Sequence, residues 1–108
     1  MALEIQKFLE YTISHDASDL HLTVGALPVV RIDGELRPVS GEDVLTSARV
    51  EALIFEMTSP EQKDLLLTNK EVDFSFALGE VARFRVNAFY EKGYLAAALR
   101  LIPIKIRT

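Results

Sequence analysis

The sequence predicts an α+β fold: an antiparallel sheet of about six strands with helices packed on one face. Three observations lead there. Apolar residues recur at helical spacing near the start and in the middle of the chain, and alternate with polar ones elsewhere. Four of the five glycines fall between alternating stretches, where tight turns need them. Finally, 108 residues with 49% hydrophobic and 26% charged side chains suit one globular domain with one core.

The elements follow in order. Leu3, Ile5, Phe8, Leu9 and Ile13, separated by Glu4, Gln6, Lys7 and Glu10, predict an amphipathic helix over 3–14, ended by His15 to Ser18. From Asp19 to Val24 the period drops to two, which puts Leu20, Leu22 and Val24 on one face of a strand. Gly25 to Pro28 turns the chain into a second strand over 29–32. Asp33-Gly34 is a favoured pair for a type I′ hairpin, so Glu35 to Val39 returns as a third strand. Pro38 has no N–H to donate, so that strand is expected to lie at a sheet edge or to be ending there.

Val50, Leu53, Ile54 and Met57 predict a helix over 47–57, with Ser47 as a candidate N-cap. Ser59-Pro60-Glu61-Gln62 offers a cap, a proline at the first helical position and a capping-box glutamine. The apolar face of that third helix is expected to be Leu65 and Leu66. Val72, Phe74, Phe76 and Leu78, then Phe84, Val86, Ala88 and Tyr90, then Leu95, Ala97, Leu99 and Leu101 alternate with residues that, Phe89 apart, are polar or small. Turns at Gly79-Glu80 and Lys92-Gly93 make these three strands a meander. The sum is a PAS-like arrangement, and the bulky inward positions of the meander predict a filled core. The tail from Pro103 to Thr108 loses the alternation and reads as the start of a linker.

Composition and motifs exclude several functions. A net charge of −4 argues against a nucleic-acid module. No cysteine is present, so thiolate metal sites and disulfides do not arise. Glu4 and Lys7 interrupt the first apolar residues, so no signal peptide is expected, and no stretch approaches the length of a membrane span. There is no G-x-x-x-x-G-K-[ST] phosphate loop, so these 108 residues are not expected to hydrolyse ATP alone.

Among the remaining polar residues, His15 and His21, with Asp16 and Asp19 between them, could suggest a metal site. The plainer reading is a helix end for His15 and the polar face of a strand for His21. Glu71 and Asp73 lack the environment that separates the pKa values of an acid–base pair, and read as a strand face paired with arginines. The arginines are more informative. Arg83 and Arg85 leave one face of their strand, and a turn at Lys92-Gly93 sets Arg85 nearly opposite Arg100 and Arg83 opposite Ile102. Facing like charges are unfavourable unless anions join them; the pattern fits a solvated face neutralised by Asp73 and Glu71, a phosphate partner whose oxygens match guanidinium forks, or a protein contact.

Several runs resemble the PilT-type pilus retraction ATPases of the wider secretion and pilus ATPase superfamily. They are Ala17-Ser18-Asp19-Leu20-His21-Leu22 with Gly25 and Pro28, Arg31-Ile32-Asp33-Gly34, Glu71-Val72-Asp73-Phe74-Ser75-Phe76, Arg83-Phe84-Arg85-Val86-Asn87-Ala88-Phe89, and Leu99-Arg100-Leu101-Ile102-Pro103. The arginine-bearing run points to the retraction branch.

The resemblance implies a PAS-like N-terminal domain over 1–102 and an interdomain linker opening at 103–108. A RecA-like ATPase domain carrying the Walker loop would lie outside these residues. It implies a cytoplasmic homohexamer, peripheral to the inner membrane through the pilus machinery, that powers twitching motility. The domain would pack on its own RecA-like partner and on neighbouring subunits, without touching nucleic acid or entering the membrane. ATP, with its Mg, would be shared with the second domain, and Arg85, Arg100 and Arg83 would reach its phosphates. Arg31 and Asp33 would serve the hairpin and interdomain packing. The alternatives are a pilus-extension or type II secretion ATPase domain, or a stand-alone PAS-like sensory or interaction module. The bulky inward positions argue against a ligand-holding sensor.

Overall fold

The computed structural model describes residues 3–80 and 82–103. Among the described residues, three helices and six strands follow in the order α1 (Glu4–Ser14), β1 (Asp19–Thr23), β2 (Val29–Ile32), β3 (Glu35–Pro38), α2 (Ser47–Met57), α3 (Pro60–Asn69), β4 (Glu71–Leu78), β5 (Ala82–Glu91) and β6 (Tyr94–Pro103). All six strands join one antiparallel sheet in the spatial order β3-β2-β1-β6-β5-β4. The expected α+β class and strand number are both present. Pro38 lies on the edge strand β3, where its missing N–H costs no ladder bond.

Local chemistry explains the turns. Asp33 and Gly34 both have positive φ (51° and 82°), as do Lys92 and Gly93 (53° and 85°). Two successive positive values define the type I′ geometry whose twist matches the strands it joins. The β5–β6 turn fixes a long register, from Glu91 opposite Tyr94 to Ala82 opposite Pro103. Pro103, expected to open the linker, therefore ends β6. Residues 104–108, the rest of that expected linker, lie outside the described residues.

One face of the sheet carries the core. Leu20, Leu22, Val30, Phe84, Val86 and Leu99 are at most 1% exposed and meet Ile5, Phe8 and Leu9 of α1 and Val50, Leu53 and Ile54 of α2. Phe74 and Leu95 are also buried, whereas Phe76 packs against the cluster only partly covered. The meander's inward positions thus fill the interior with side chains.

Three expectations need correction. The cap of α2 is Thr46, whose hydroxyl accepts from the Arg49 backbone N–H, and Ser47 is already helical. Thr46 is the residue with extended backbone (φ −88°, ψ 162°), which aims its side chain at the helix end. On α3 only Leu66 is buried; Leu65 is 49% exposed. That helix touches the sheet along a strip one residue wide, and a neighbour 100° around the axis misses it. Leu3 precedes α1 and is exposed as well. The capping box on α3 forms as expected, with the Gln62 N–H donating to Ser59 Oγ and the Ser59 N–H to Gln62 Oε1.

Candidate functional site

Since the helices cover one face, every second residue of the central strands points out from the other. The register brings these residues into rows. Arg31 of β2, Asp19 of β1, Arg100 of β6, Arg85 of β5 and Ser75 of β4 stand in one row across the sheet. The next row holds His21, Ala98, Asn87 and Asp73. Arg85 faces Arg100 and Arg83 faces Ile102, as the turn arithmetic requires.

Between these rows lies an open hollow of about 450 Å³, lined by Asp19, His21, Asp73, Arg85, Asn87 and Arg100, with Ala98 and Leu99. The short side chain of Ala98, flanked in register by His21 and Asn87, leaves the middle of the face low. Arg85 and Arg100 remain largely in solvent, with side chains 67% and 73% exposed. Arg83 lies to one side, in a neighbouring depression that it shares with Arg85, Asp73, Ser75, Phe74 and Ile102. It makes no ion pair among the described residues.

Both arginines of the hollow are matched by carboxylates. Arg85 donates from Nε and Nη2 to the two oxygens of Asp73, at 3.4 and 3.2 Å. That hydrogen-bonded carboxylate, and then its charge, raises the guanidinium pKa above its ordinary value. Arg100 Nε donates to Asp19 Oδ1 at 3.4 Å, and Arg31 Nε lies 3.8 Å from Asp19 Oδ2. Ser18 Oγ donates to the same Oδ2 at 2.7 Å, and only 14% of the Asp19 side chain is exposed. Arg31 also donates from Nη1 to the Gly34 carbonyl and so ties the β2–β3 hairpin.

The sequence placed Arg85, Arg100 and Arg83 on one face; in the structure Arg85 shares the hollow with Arg100 and the neighbouring depression with Arg83. Glu71, expected to pair with arginine, instead accepts from Asn87 Nδ2 at 3.0 Å, because the register sets it opposite Phe89, four residues beyond Arg85. Asp73 does pair with Arg85. His15 Nδ1 lies 2.9 Å from the Tyr11 carbonyl, and its ring stacks on Tyr11, which removes it from the site. His21 lines the hollow.

Sequence reasoning considered Asp19 only beside the histidines and missed its pairing with Arg100. Its role depends on β1 lying against β6, about 80 residues away along the chain. Hairpin counting cannot reach such a contact. Among the described residues no three His, Cys, Asp or Glu side chains gather as a metal site. The hollow's polar donors are guanidinium, imidazole and amide groups, which suit anion oxygens.

No family model matches the chain. Over 106 residues, it is 38% identical to the type IV pilus retractation ATPase PilT of Pseudomonas aeruginosa, covering 98% of this chain and 30% of that protein. It is 28% identical over 106 residues to the type IV pilus ATPase PilU of the same organism, covering 98% and 28%. The backbone superimposes on a crystal structure of the pilus retraction motor PilT with bound ADP at a TM-score of 0.87 and 40% identity, over 98% of this chain and 31% of that one. The chain thus spans about 30% of the length of the curated relatives it matches. Taken with the fold, this makes the chain an N-terminal domain of the pilus and secretion ATPase family.

Proposed function

We propose that the chain is the nucleotide-engaging N-terminal domain of a PilT-type motor that powers type IV pilus retraction and twitching motility. Its work is to direct guanidinium groups at the phosphates of ATP held mainly by a RecA-like domain, and to pass the resulting change of charge into a swing between domains. The observation that carries this reading is the pair Arg85 and Arg100, opposed across β5 and β6 and exposed beside an open hollow on the helix-free face. Two cations opposed on adjacent strands can engage oxygens of one polyphosphate together, and fixed charges of this kind stabilise negative charge as it develops on a transferring phosphoryl group.

Arg85 ranks first, Arg100 second and Arg83 third, because only the first two share the hollow. Mg would accompany ATP and be held by the second domain. Contacts present with triphosphate and weakened after its hydrolysis bias one interdomain angle over another, which couples chemistry to movement. The assembly is a homohexamer at the cytoplasmic side of the pilus machinery. No helix among the described residues is long and apolar enough to cross a membrane.

The test uses the full-length motor. Arg85→Ala and Arg100→Ala are each expected to lower ATP turnover about a hundredfold or more while the domain stays folded. If turnover and nucleotide affinity stay at wild-type levels while docking between subunits is lost, the charged face serves protein contact and the phosphate reading is wrong.

A further inference from the structure

The two carboxylates that hold the arginines differ in kind. Asp19 sits in the central strand β1 and is largely buried, and its oxygens are shared among Ser18, Arg31 and Arg100. Removing Arg100 would still leave it partnered. Asp73 lies on β4, the edge of the sheet, and its side chain is 49% exposed. Among the described residues, Arg85 is its hydrogen-bonding partner. The contact engages both carboxylate oxygens, but at 3.2 and 3.4 Å it is longer than the 2.7–2.9 Å of a strong charge-assisted pair. An exposed pair of this length is worth little, so an incoming anion can displace it.

We propose that Asp73 is a specificity-determining residue, an internal anion that occupies the Arg85 guanidinium until a polyphosphate of higher charge displaces it. The proposal rests on the phosphate reading of Arg85 and adds a selection step to it. A carboxylate or chloride in solution offers Arg85 no more than Asp73 already does, and must also approach past its negative charge. A ligand with several phosphoryl groups gains Arg100 as well as Arg85, and only it overcomes the resident contact. Asp19, locked by three partners, keeps Arg100 in position meanwhile. Selectivity for polyphosphate over simple anions thus comes from an acidic side chain that the ligand need not touch.

Titration of this 108-residue chain with sodium tripolyphosphate at low salt tests the idea, followed by calorimetry and by the Nε signals of the arginines. Asp73→Asn is expected to bind about three- to tenfold more tightly than wild type, since it frees Arg85 and removes a nearby like charge. It should also gain affinity for chloride or acetate. Glu71→Gln makes the same change in net charge on the same strand, but at a residue bonded to Asn87, and should alter affinity less than about twofold. In the double variant Asp73→Asn with Arg85→Ala, the gain should vanish.

Equal tightening by Asp73→Asn and Glu71→Gln, or none from either, overturns the resident-anion idea. Wild-type binding that is lost in Arg85→Ala would in that case leave the phosphate reading standing. If neither wild type nor Asp73→Asn takes up tripolyphosphate at millimolar concentration, the resident-anion idea falls, while the phosphate reading, in which a second domain holds most of the nucleotide, is decided by turnover of the full-length variants.

Discussion

Glu42 illustrates how a single loop carboxylate can tie a domain together. It accepts from Lys7 of α1 at 3.1 Å and from Arg49 of α2 at 3.0 Å, and Arg49 also reaches Glu4 at 2.8 Å. Burial alone would raise its pKa, but the hydrogen bonds and charges of Lys7 and Arg49 outweigh that and hold it below its ordinary 4.5. The sign of the pH effect follows. With a folded-state pKa below the unfolded value, the stabilisation is complete well above pH 4.5 and is lost as pH falls through the lower folded value. Glu42→Gln should therefore be about 1 kcal/mol less stable than wild type in urea at pH 7, with the difference shrinking toward pH 3. A difference that persists at pH 3 would mean that the charge is not responsible. Little of this network was legible beforehand, since its members lie far apart in sequence. Arg85 and Arg100 were legible because parity and one short turn fix their relation, while Asp19 lay beyond that arithmetic.

At the scale of elements, caps divide into local and borrowed ones. The capping box of α3 uses two residues three apart, so the sequence announces it. The start of α1 has no such partner, because Leu3 precedes it and offers no acceptor. Its first backbone N–H groups, those of Glu4 and Ile5, donate instead to the Glu56 carboxylate of α2, at 3.2 and 2.7 Å. A negative group at a helix N-terminus satisfies open donors and complements the dipole together. Glu56→Ala should cost about 1–2 kcal/mol in denaturant unfolding, and hydrogen exchange should locate the loss in the first turn of α1. Unchanged protection there would show that solvent serves as well. The periodicity that predicts α1 says nothing about who caps it, since a distance of about 50 residues leaves no local signature.

Over the whole molecule, the strands fall into two hairpin-built halves, β1-β2-β3 and β4-β5-β6, joined along the β1–β6 seam. The sequence foretold each half, because alternation and turn residues are local properties. It did not foretell the seam, which is a pairing between the first strand and the last, and so the outer row of charges was only half visible. Leu20 sits on that seam opposite Leu99, fully buried and in reach of the helices. Leu20→Ala should destabilise the domain by about 2–5 kcal/mol, through lost burial and the cavity left behind. Thermal unfolding that stays a single transition at lower temperature would be the expected signature. Independent melting of the two halves would contradict a shared core.

The location of β6 also has a mechanical side. Its Tyr94–Pro103 span is stitched to β5 along its length and to β1 from Ala96 to Arg100, so it is an inner strand gripped on both flanks. A pull delivered at its Pro103 end would load two ladders in shear simultaneously, with no free edge from which to peel. Such an arrangement resists shear along β6, while the outer strands β3 and β4, each paired on one side, are the parts that would give first.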